Sequence, residues 1–390
     1  MKIKSDPSLV SEVRIYGKFD TNACFQCGSC TVICDLTKDS ASFPRRIVRY
    51  VQFGLKKLLL SSLEPWLCYY CGDCSTTCPR QTEPGEAMMT LRRYLTAQYD
   101  WTGLSSKIYR SKAWEIGALL TVGVIVLLLV AVYHLYVVDL TLPEFTSEAE
   151  AVGMEHMFGK IAIFTRIVFF ISYFFLLSNA FRMYWFTMHR GSEVKIPFLL
   201  YLSELKTFIL HGITQKRFRD CKEKDKSHWV KHWFLIPAFV IMFMILVFFL
   251  DWFQTDNIYP IYHPQRWLGY FVACAFIFTA VGSLIGRFKK RKQLHKFSTH
   301  TDWTFPILLL LTTVSGAAVH IFRYLGLSLI THYTYALHLA IAVPMLVVEL
   351  PFGKWTHMIY RPLAIYLQTV KEKALQQQQL PEEAILDHAG

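Results

Sequence analysis

CFQCGSCTVIC, from Cys24 to Cys34, and CYYCGDCSTTC, from Cys68 to Cys78, hold eight of the ten cysteines of the chain. Both read C-x2-C-x2-C-x3-C, and Pro79 follows the second. Three thiolates two residues apart can wrap one face of a cuboidal iron-sulfur cluster, and the fourth reaches the other cluster of a pair. The spacing therefore predicts one [4Fe-4S] cluster on Cys24, Cys27, Cys30 and Cys78, and a second on Cys68, Cys71, Cys74 and Cys34. Zinc is the alternative, but it favours separated C-x2-C pairs in tetrahedral sites, and a doubled four-cysteine run fits it poorly. Cys221 and Cys274 stand alone and read as a surface thiol and a small apolar filler.

Histidines carry the second set of possibilities. Of the 14 in the chain, His134, His156, His232, His320, His332 and His338 fall within or at the rims of long apolar runs, where ionisable groups are costly and mark functional sites. Neutral imidazoles from two helices can clamp one haem iron. TTVSGAAVH sets Gly316, Ala317 and Ala318 before His320, and small residues let a flat porphyrin approach a helix. The expected haem b ligands are His320, His338 and His232, with His228 one turn before His232 on the same face. His338 lies about 9 Å inside the outer end of its run and His232 at the inner edge, so the two stand at different depths unless tilt or an earlier helix start brings them level. His189, His211, His295 and His357 lie in basic segments and read as solvated or lipid-facing. His211 could also help to position a quinone or a partner.

These residues need a scaffold, and the composition supplies its outline. The chain has 390 residues, 53% hydrophobic, with a net charge of +12. Residues 1–109 are polar, basic and cysteine-rich, with no early apolar stretch long enough to cross a membrane, so the thiols are expected in a reducing compartment. Residues 110–360 break into six apolar runs, at 114–138, 161–188, 233–253, 267–286, 303–322 and 333–350, each long enough for a hydrocarbon core of roughly 30 Å. A tail spans 361–390. Residues 190–231 hold ten Lys or Arg and GRFKKRKQLHK holds six, against one each in 139–160 and 251–266. The positive-inside rule then puts both termini in the cytoplasm of an inner-membrane protein and explains the charge by lipid head groups rather than nucleic acid. IPFLLYLSELKTFILHGITQKRF, about 197–218, reads as an amphipathic helix lying on the cytoplasmic surface or serving as a docking surface.

The stretch between the cysteine motifs, FPRRIVRYVQFGLKKLLLSS, is helical in pattern, with a proline in the first turn. The head thus resembles the α-helical ferredoxin domain of heterodisulfide reductase C subunits and of succinate dehydrogenase iron-sulfur subunits, departing from it at Asp35, where a proline is usual. The resemblance implies an all-α fold, a helical dicluster ferredoxin domain followed by a six-helix bundle.

HIFRYLGLSLITHYTYALHLAIAVPMLVVELPFGKWTHMIYRP resembles the last two helices of the gamma subunit of membrane-bound nitrate reductases, a di-haem cytochrome b, in which a histidine ending one helix is followed eighteen residues later by another in the next. His320 and His338 match. WVKHWFLIPAF resembles that family's earlier ligand helix and implies His232 opposite His338. Where the family has a further histidine this chain has Met242, so the fourth ligand is left among Met242, His134 and His156. The fusion of the two parts resembles the membrane subunit (QmoC) family of quinone-interacting membrane-bound oxidoreductases of sulfate-reducing prokaryotes. That resemblance implies two [4Fe-4S] clusters, two b haems and menaquinone as substrate. It also implies heterodisulfide reductase A-like flavoprotein partners of the QmoA and QmoB type, and a link to adenylylsulfate reductase.

The chemistry expected is a relay in which quinol gives up two electrons and two protons while haems and clusters each carry one electron, the quinone site lying near the outer haem. Candidate quinone residues are Glu155, His156, Lys160 and Arg166, with Arg266 and Arg323; each could instead be an interfacial anchor or a haem-propionate partner. The chain has no Gly-x-Gly-x-x-Gly dinucleotide loop and no adjacent-cysteine motif of the heterodisulfide catalytic type, so the terminal reaction is expected in partner subunits. Another heterodisulfide reductase-like or sulfite-linked complex, or a membrane anchor with structural clusters, are the alternative readings.

Overall fold

The computed structural model describes residues 4–20, 22–38, 42–138, 155–190, 196–214, 227–255, 257–290 and 292–379, with the side chains of 38, 137–138, 155–161, 227–228 and 293–294 outside the description. The chain is 79% helical with no strand among the described residues. The helices, in chain order, are α1 (Leu9–Arg14), α2 (Ser29–Ile33), α3 (Arg45–Gln52), α4 (Lys56–Leu60), α5 (Glu64–Leu67), α6 (Asp73–Thr76), α7 (Pro84–Tyr99), α8 (Leu104–Arg110) and α9 (Lys112–Tyr133). They continue as α10 (Glu155–Tyr184), α11 (Phe198–Ser203), α12 (Leu205–Thr214), α13 (Ser227–Val247), α14 (Pro264–Lys289), α15 (His300–Tyr324), α16 (Ser328–Pro344) and α17 (His357–Gln379), with short turns of helix between some of them.

Two compact units emerge. The first joins Met1–Arg110 with Leu177–Lys226 and Thr356–Gly390. Its axis is α7, which starts with Pro84 at a position where the missing amide hydrogen costs nothing. Met88, Leu91 and Leu95 of α7 are fully buried, together with Leu9 of α1, Ile47 and Val51 of α3 and Leu59 of α4. Each such side chain contributes about 1.5–3 kcal/mol by leaving water. Tyr360 of α17 sits edge-on to Trp66 of α5, ring centroids 5.0 Å apart.

Two helices expected from the sequence are broken in this unit. The stretch between the cysteine motifs splits at Gly54, whose φ of +66° suits glycine. A Cβ there would stand 2.3 Å from the Asp6 carbonyl oxygen. The amphipathic segment splits at Glu204, whose buried carboxylate pairs with Lys373 of α17 at 2.5 Å and accepts from Thr207 at 2.9 Å. One face of it docks on α17, where the Tyr366 hydroxyl donates to the Tyr201 carbonyl at 2.8 Å. Phe198, Leu199, Leu202, Ile209 and Ile213 remain exposed.

The second unit comprises Ser111–Leu176 and Ser227–Trp355. Val126 of α9, Val168 of α10 and Tyr335, Leu339 and Val343 of α16 form its core. Gly123 lets α9 approach α16, since a Cβ at this position would come 2.9 Å from the Ala340 carbonyl oxygen. Leu120, Leu128, Phe170, Phe174 and Leu337 point outward and are more than half exposed. An apolar surface of that extent is stable in lipid rather than in water.

Among the described residues, six helices are long and apolar enough to cross a membrane: Lys112–Tyr136, Ala162–His189, Trp229–Val247, Pro264–Lys289, His300–Tyr324 and Ser328–Phe352. Their limits lie close to those read from the sequence except in the third. That helix begins at Ser227 and ends at Val247, and a separate turn forms at Leu250–Phe253. The fifth starts on a capping box in which Thr299 and Asp302 exchange hydrogen bonds.

Candidate functional site

The two cysteine motifs fold alike. Each has two left-handed residues at the same places: Gln26 (φ 57°) and Gly28 (φ 90°) in the first, Tyr70 (φ 56°) and Gly72 (φ 95°) in the second. Each then enters a short helix, α2 or α6, that carries its third cysteine. A left-handed Gln or Tyr costs about 1 kcal/mol. Its recurrence at equivalent positions marks a loop shape that the eight thiols share. The second loop is held from outside by the Tyr70 hydroxyl, which donates to Glu86 at 2.7 Å, and by Arg93, which binds the other oxygen of the buried Glu86 at 3.1 Å. The Tyr70 amide donates to the Cys68 sulfur at 3.3 Å.

The thiols neighbour one another in crossed sets, although among the described residues no group of three or more metal-ligating side chains meets the geometry of a metal-ion site. Cys30 is acted on by Cys24, Cys27 and Cys78, whereas Cys34 is acted on by Cys68 and Cys71. Cys74 is acted on first by Cys68, Cys71 and Cys34, and after these by Cys30. Burial pushes the Cys30, Cys68 and Cys74 thiols up, and Cys34 up to about 12. Cys27, on the exposed rim, is drawn down by the Ser29 hydroxyl. Thiolates at the buried positions therefore call for bound cations, and an all-sulfur donor set suits iron-sulfur chemistry.

The second group is the more enclosed, since Cys68 and Cys74 are buried while Cys27 is exposed. Two guanidinium groups stand beside it. Arg92 donates to the Pro65 carbonyl at 2.6 Å, to Trp66 at 3.2 Å and to Cys68. Burial pulls Arg92 down to about 9, and Arg361 adds repulsion. Arg361 lies over the Tyr69 ring at 4.4 Å, and its Nε and Nη2 are buried without a hydrogen-bond partner. Arginine keeps its proton in proteins. Cationic groups bound to carbonyls and a ring, and not to carboxylates, fit a neighbour of net negative charge, which a four-thiolate [4Fe-4S] cluster is.

In the membrane unit, His338 binds the Ser315 hydroxyl through Nδ1 at 2.9 Å. Its ring lies against Gly316, where a Cβ would come 3.2 Å from Cε1. Fixing one ring nitrogen and presenting the other is the arrangement that orients a metal-binding imidazole, so His338 fits a haem ligand. His320 differs: its Nε2 contacts the Tyr270 hydroxyl at 2.9 Å, which would have to give way to iron. The early start of α13 sets His232 about 8 Å from one end and about 23 Å from the other, against about 15 Å for His338 along α16. A difference of about 8 Å along the axes remains between them. Met242 is half-buried on α13.

His134, which caps the C-terminal end of α9, lies close enough to act on His332, whose Nδ1 is tied to the Ser328 carbonyl at 2.7 Å. His332 has no assigned role in the sequence reading. Its proximity to His134 depends on the packing of α9 against α16 and has no signature in spacing.

Among the quinone candidates, the side chains of Glu155, His156 and Lys160 lie outside the described residues. Arg166 pairs with Asp251 at 2.5 Å, Arg323 donates to the Thr255 carbonyl and Arg266 to the Asn257 carbonyl at 3.5 Å. All three bind the segment after α13, as interfacial anchors do.

Known proteins share the cysteine-bearing part of this chain. Residues 20–82 match the 4Fe-4S dicluster domain family. Relatives include a protein of Archaeoglobus profundus that is like the C subunit of heterodisulfide reductase, 33% identical over 89 residues, which cover 23% of this chain and 47% of that one. The C subunit of the ferredoxin:CoB-CoM heterodisulfide reductase of Methanosarcina acetivorans is 36% identical over 70 residues, 18% of this chain and 28% of its own. A second iron-sulfur C subunit of the CoB-CoM heterodisulfide reductase of Methanocaldococcus jannaschii is 39% identical over 70 residues, 18% and 37% of the two chains. The chain thus spans less than half the length of these curated relatives. No solved structure matches. The N-terminal part is a 4Fe-4S dicluster domain similar to heterodisulfide reductase C subunits, a domain type that holds two clusters. It is joined here to six helices able to span a membrane.

Proposed function

We propose that the chain is the electron-transfer subunit of a membrane-bound menaquinone-interacting oxidoreductase of the quinone-interacting membrane-bound oxidoreductase type. It exchanges electrons between menaquinol and cytoplasmic flavoprotein partners related to heterodisulfide reductase A, and through them with adenylylsulfate reductase. The observation that carries this reading is one chain joining a dicluster domain to a membrane bundle in which His338 is oriented by Ser315 across Gly316.

In this reading Cys24, Cys27, Cys30 and Cys78 hold one cluster and Cys68, Cys71, Cys74 and Cys34 the other. His338, His232 and His320 hold b haems, with His134, His156 or Met242 as the remaining ligand. Clusters and haems supply one-electron carriers, which lets a two-electron quinol be oxidised in single steps. The protein's part is to space the ligands, to exclude water from the second thiol group and to hold positive charge beside it with Arg92 and Arg361. The exposed Phe25, Val32 and Ile33 around the first thiol group give a partner an apolar surface at the rim of the relay. Both termini face the cytoplasm in this arrangement.

The test is anaerobic reduction of the purified membrane complex with a menaquinol analogue, following haem absorbance and cluster EPR together, with a pyridine haemochrome count. Haem b reduced by quinol and passing electrons to the clusters is the expected result. Absence of haem would leave the bundle a quinone-binding anchor. The names of the relatives favour one second reading, the membrane subunit of another heterodisulfide reductase-like complex. The identity of the co-purified subunits separates the two.

A further inference from the structure

At the end of the bundle where Lys112 begins the first span, two carboxyl groups face each other inside the protein. Glu115 in the first turn of α9 and Glu349 at the end of the sixth span are both fully buried. All four of their carboxylate oxygens are buried without a hydrogen-bond partner. Glu349 closes a π-turn, Met345–Glu349, that follows Pro344, a residue with no amide hydrogen to continue the α-helical ladder. Its side chain folds back under Gly353, where Oε2 would lie 2.1 Å from an added Cβ. Only glycine leaves room for the carboxylate there.

The surrounding groups do not neutralise the pair. The Nε2 of His300, at the start of α15, is 3.7 Å from Glu115 Oε2. Asp302 on the same helix adds negative charge and takes up Lys354, the cation nearest Glu349, as its ion-pair partner. Thr304, on the next turn, donates its hydroxyl back to the His300 carbonyl at 3.2 Å. The Thr304 hydroxyl acts on Glu115 and the Lys354 amide on Glu349, but neither completes a hydrogen bond, and two such buried carboxylates cannot both be ionised, because each lacks solvation and repels the other. A proton between them supplies the hydrogen bond that both lack. The His300 side chain, at the first residue of the fifth span, is 21% exposed, whereas that of Glu115 is at 0%.

We propose that Glu115 and Glu349 form a proton-binding dyad, one proton shared by the two carboxyl groups, and that His300 exchanges a second proton between this dyad and the aqueous boundary. A proton taken up by the imidazole passes to Glu115, the dyad going from one proton and one negative charge to two protons and none, and the reverse releases it. Such a site can offset the charge of an electron entering the bundle. It stands whether or not the bundle holds haem.

Infrared spectroscopy of the full-length protein in membranes tests this. At pH 7 the wild type should show a protonated-carboxyl stretching band that shifts in deuterium oxide and moves on [13C-carboxyl]glutamate labelling. The E115Q/E349Q double variant should lose it. In His300→Asn the band should persist while its hydrogen-deuterium exchange slows by about a hundredfold. No glutamate band at pH 7 in the labelled wild type would overturn the dyad, and this holds even if the double variant fails to assemble. Unchanged exchange in His300→Asn would overturn the role of His300.

Discussion

The Nδ1 of His338 lies 2.9 Å from the Ser315 hydroxyl, which itself donates to the Thr312 carbonyl at 3.0 Å. The imidazole is therefore anchored to the neighbouring helix through a backbone-fixed hydroxyl, and Gly316 beside it leaves space for the ring. Loss of a hydrogen bond that orients a metal-binding imidazole weakens binding about 10-fold or more. Ser315→Ala should lower haem retention by about that factor, and Gly316→Leu should abolish it by displacing the ring. Pyridine haemochrome titration of purified membranes measures both. Full retention in Gly316→Leu would remove His338 from the ligand set.

The crossed ligation proposed above makes a pattern that simple cysteine counting does not. Cys34→Ser should remove the same EPR signature as Cys68→Ser, and Cys78→Ser the same as Cys24→Ser. Each variant should lose roughly half the iron. If Cys34→Ser instead matched Cys24→Ser, each motif would hold its own cluster and the crossed grouping of the thiols would need another explanation.

The cysteine motifs were legible because their spacing is local, whereas the left-handed turns at Gly28 and Gly72 came only with the structure. The spans were legible because lipid demands long apolar runs, although the break after Val247 was not, since Phe248 and Phe249 prolong the apolar run beyond the helix. Glu204 shows why the surface helix was misread as continuous. Its carboxylate pairs with Lys373, more than 160 residues later, and no periodicity within 197–218 registers that partner. Glu115 and Glu349 were unread for the same reason. Each resembles an interfacial acid at the end of a span until the packing of α9, α15 and the sixth span brings them together.

The Glu204–Lys373 pair gives a pH dependence. Lys373, followed by the Thr207 hydroxyl, holds the Glu204 carboxyl below its ordinary value of 4.5, although burial opposes this. A depressed carboxyl contributes stability that is complete above the unfolded value and is lost as pH falls through the folded one. The docking of α12 on α17 should therefore be constant at neutral pH and weaken in acid below about 4.5. Hydrogen exchange of 205–214 should speed up there, and Glu204→Gln should show the faster exchange already at pH 7. Equal exchange in wild type and variant across this range would contradict the assignment.

Arg361 offers the cleaner test of charge beside the second thiol group, because Nε and Nη2 make no hydrogen bond that its removal would break, whereas Arg92 also ties together the carbonyls of Pro65, Trp66 and Cys68. Reduction adds negative charge to a cluster, and a nearby cation favours the reduced form. One unit charge at about 6 Å in a medium of effective dielectric about 20 is worth about 3 kcal/mol, on the order of 100 mV, and partial solvent access lowers this. Arg361→Gln should thus shift the potential of the cluster assigned to Cys34, Cys68, Cys71 and Cys74 downward by some tens of millivolts to about 100 mV, and leave the other cluster nearly unchanged. Arg361→Lys, which keeps the charge but not the planar stacking on Tyr69, should shift it far less. Redox titration monitored by EPR on the intact complex reads both clusters in one sample. A fall in both potentials together would point to a general loosening of the domain, and no change in either would mean that the Arg361 charge is screened from the thiol group it faces.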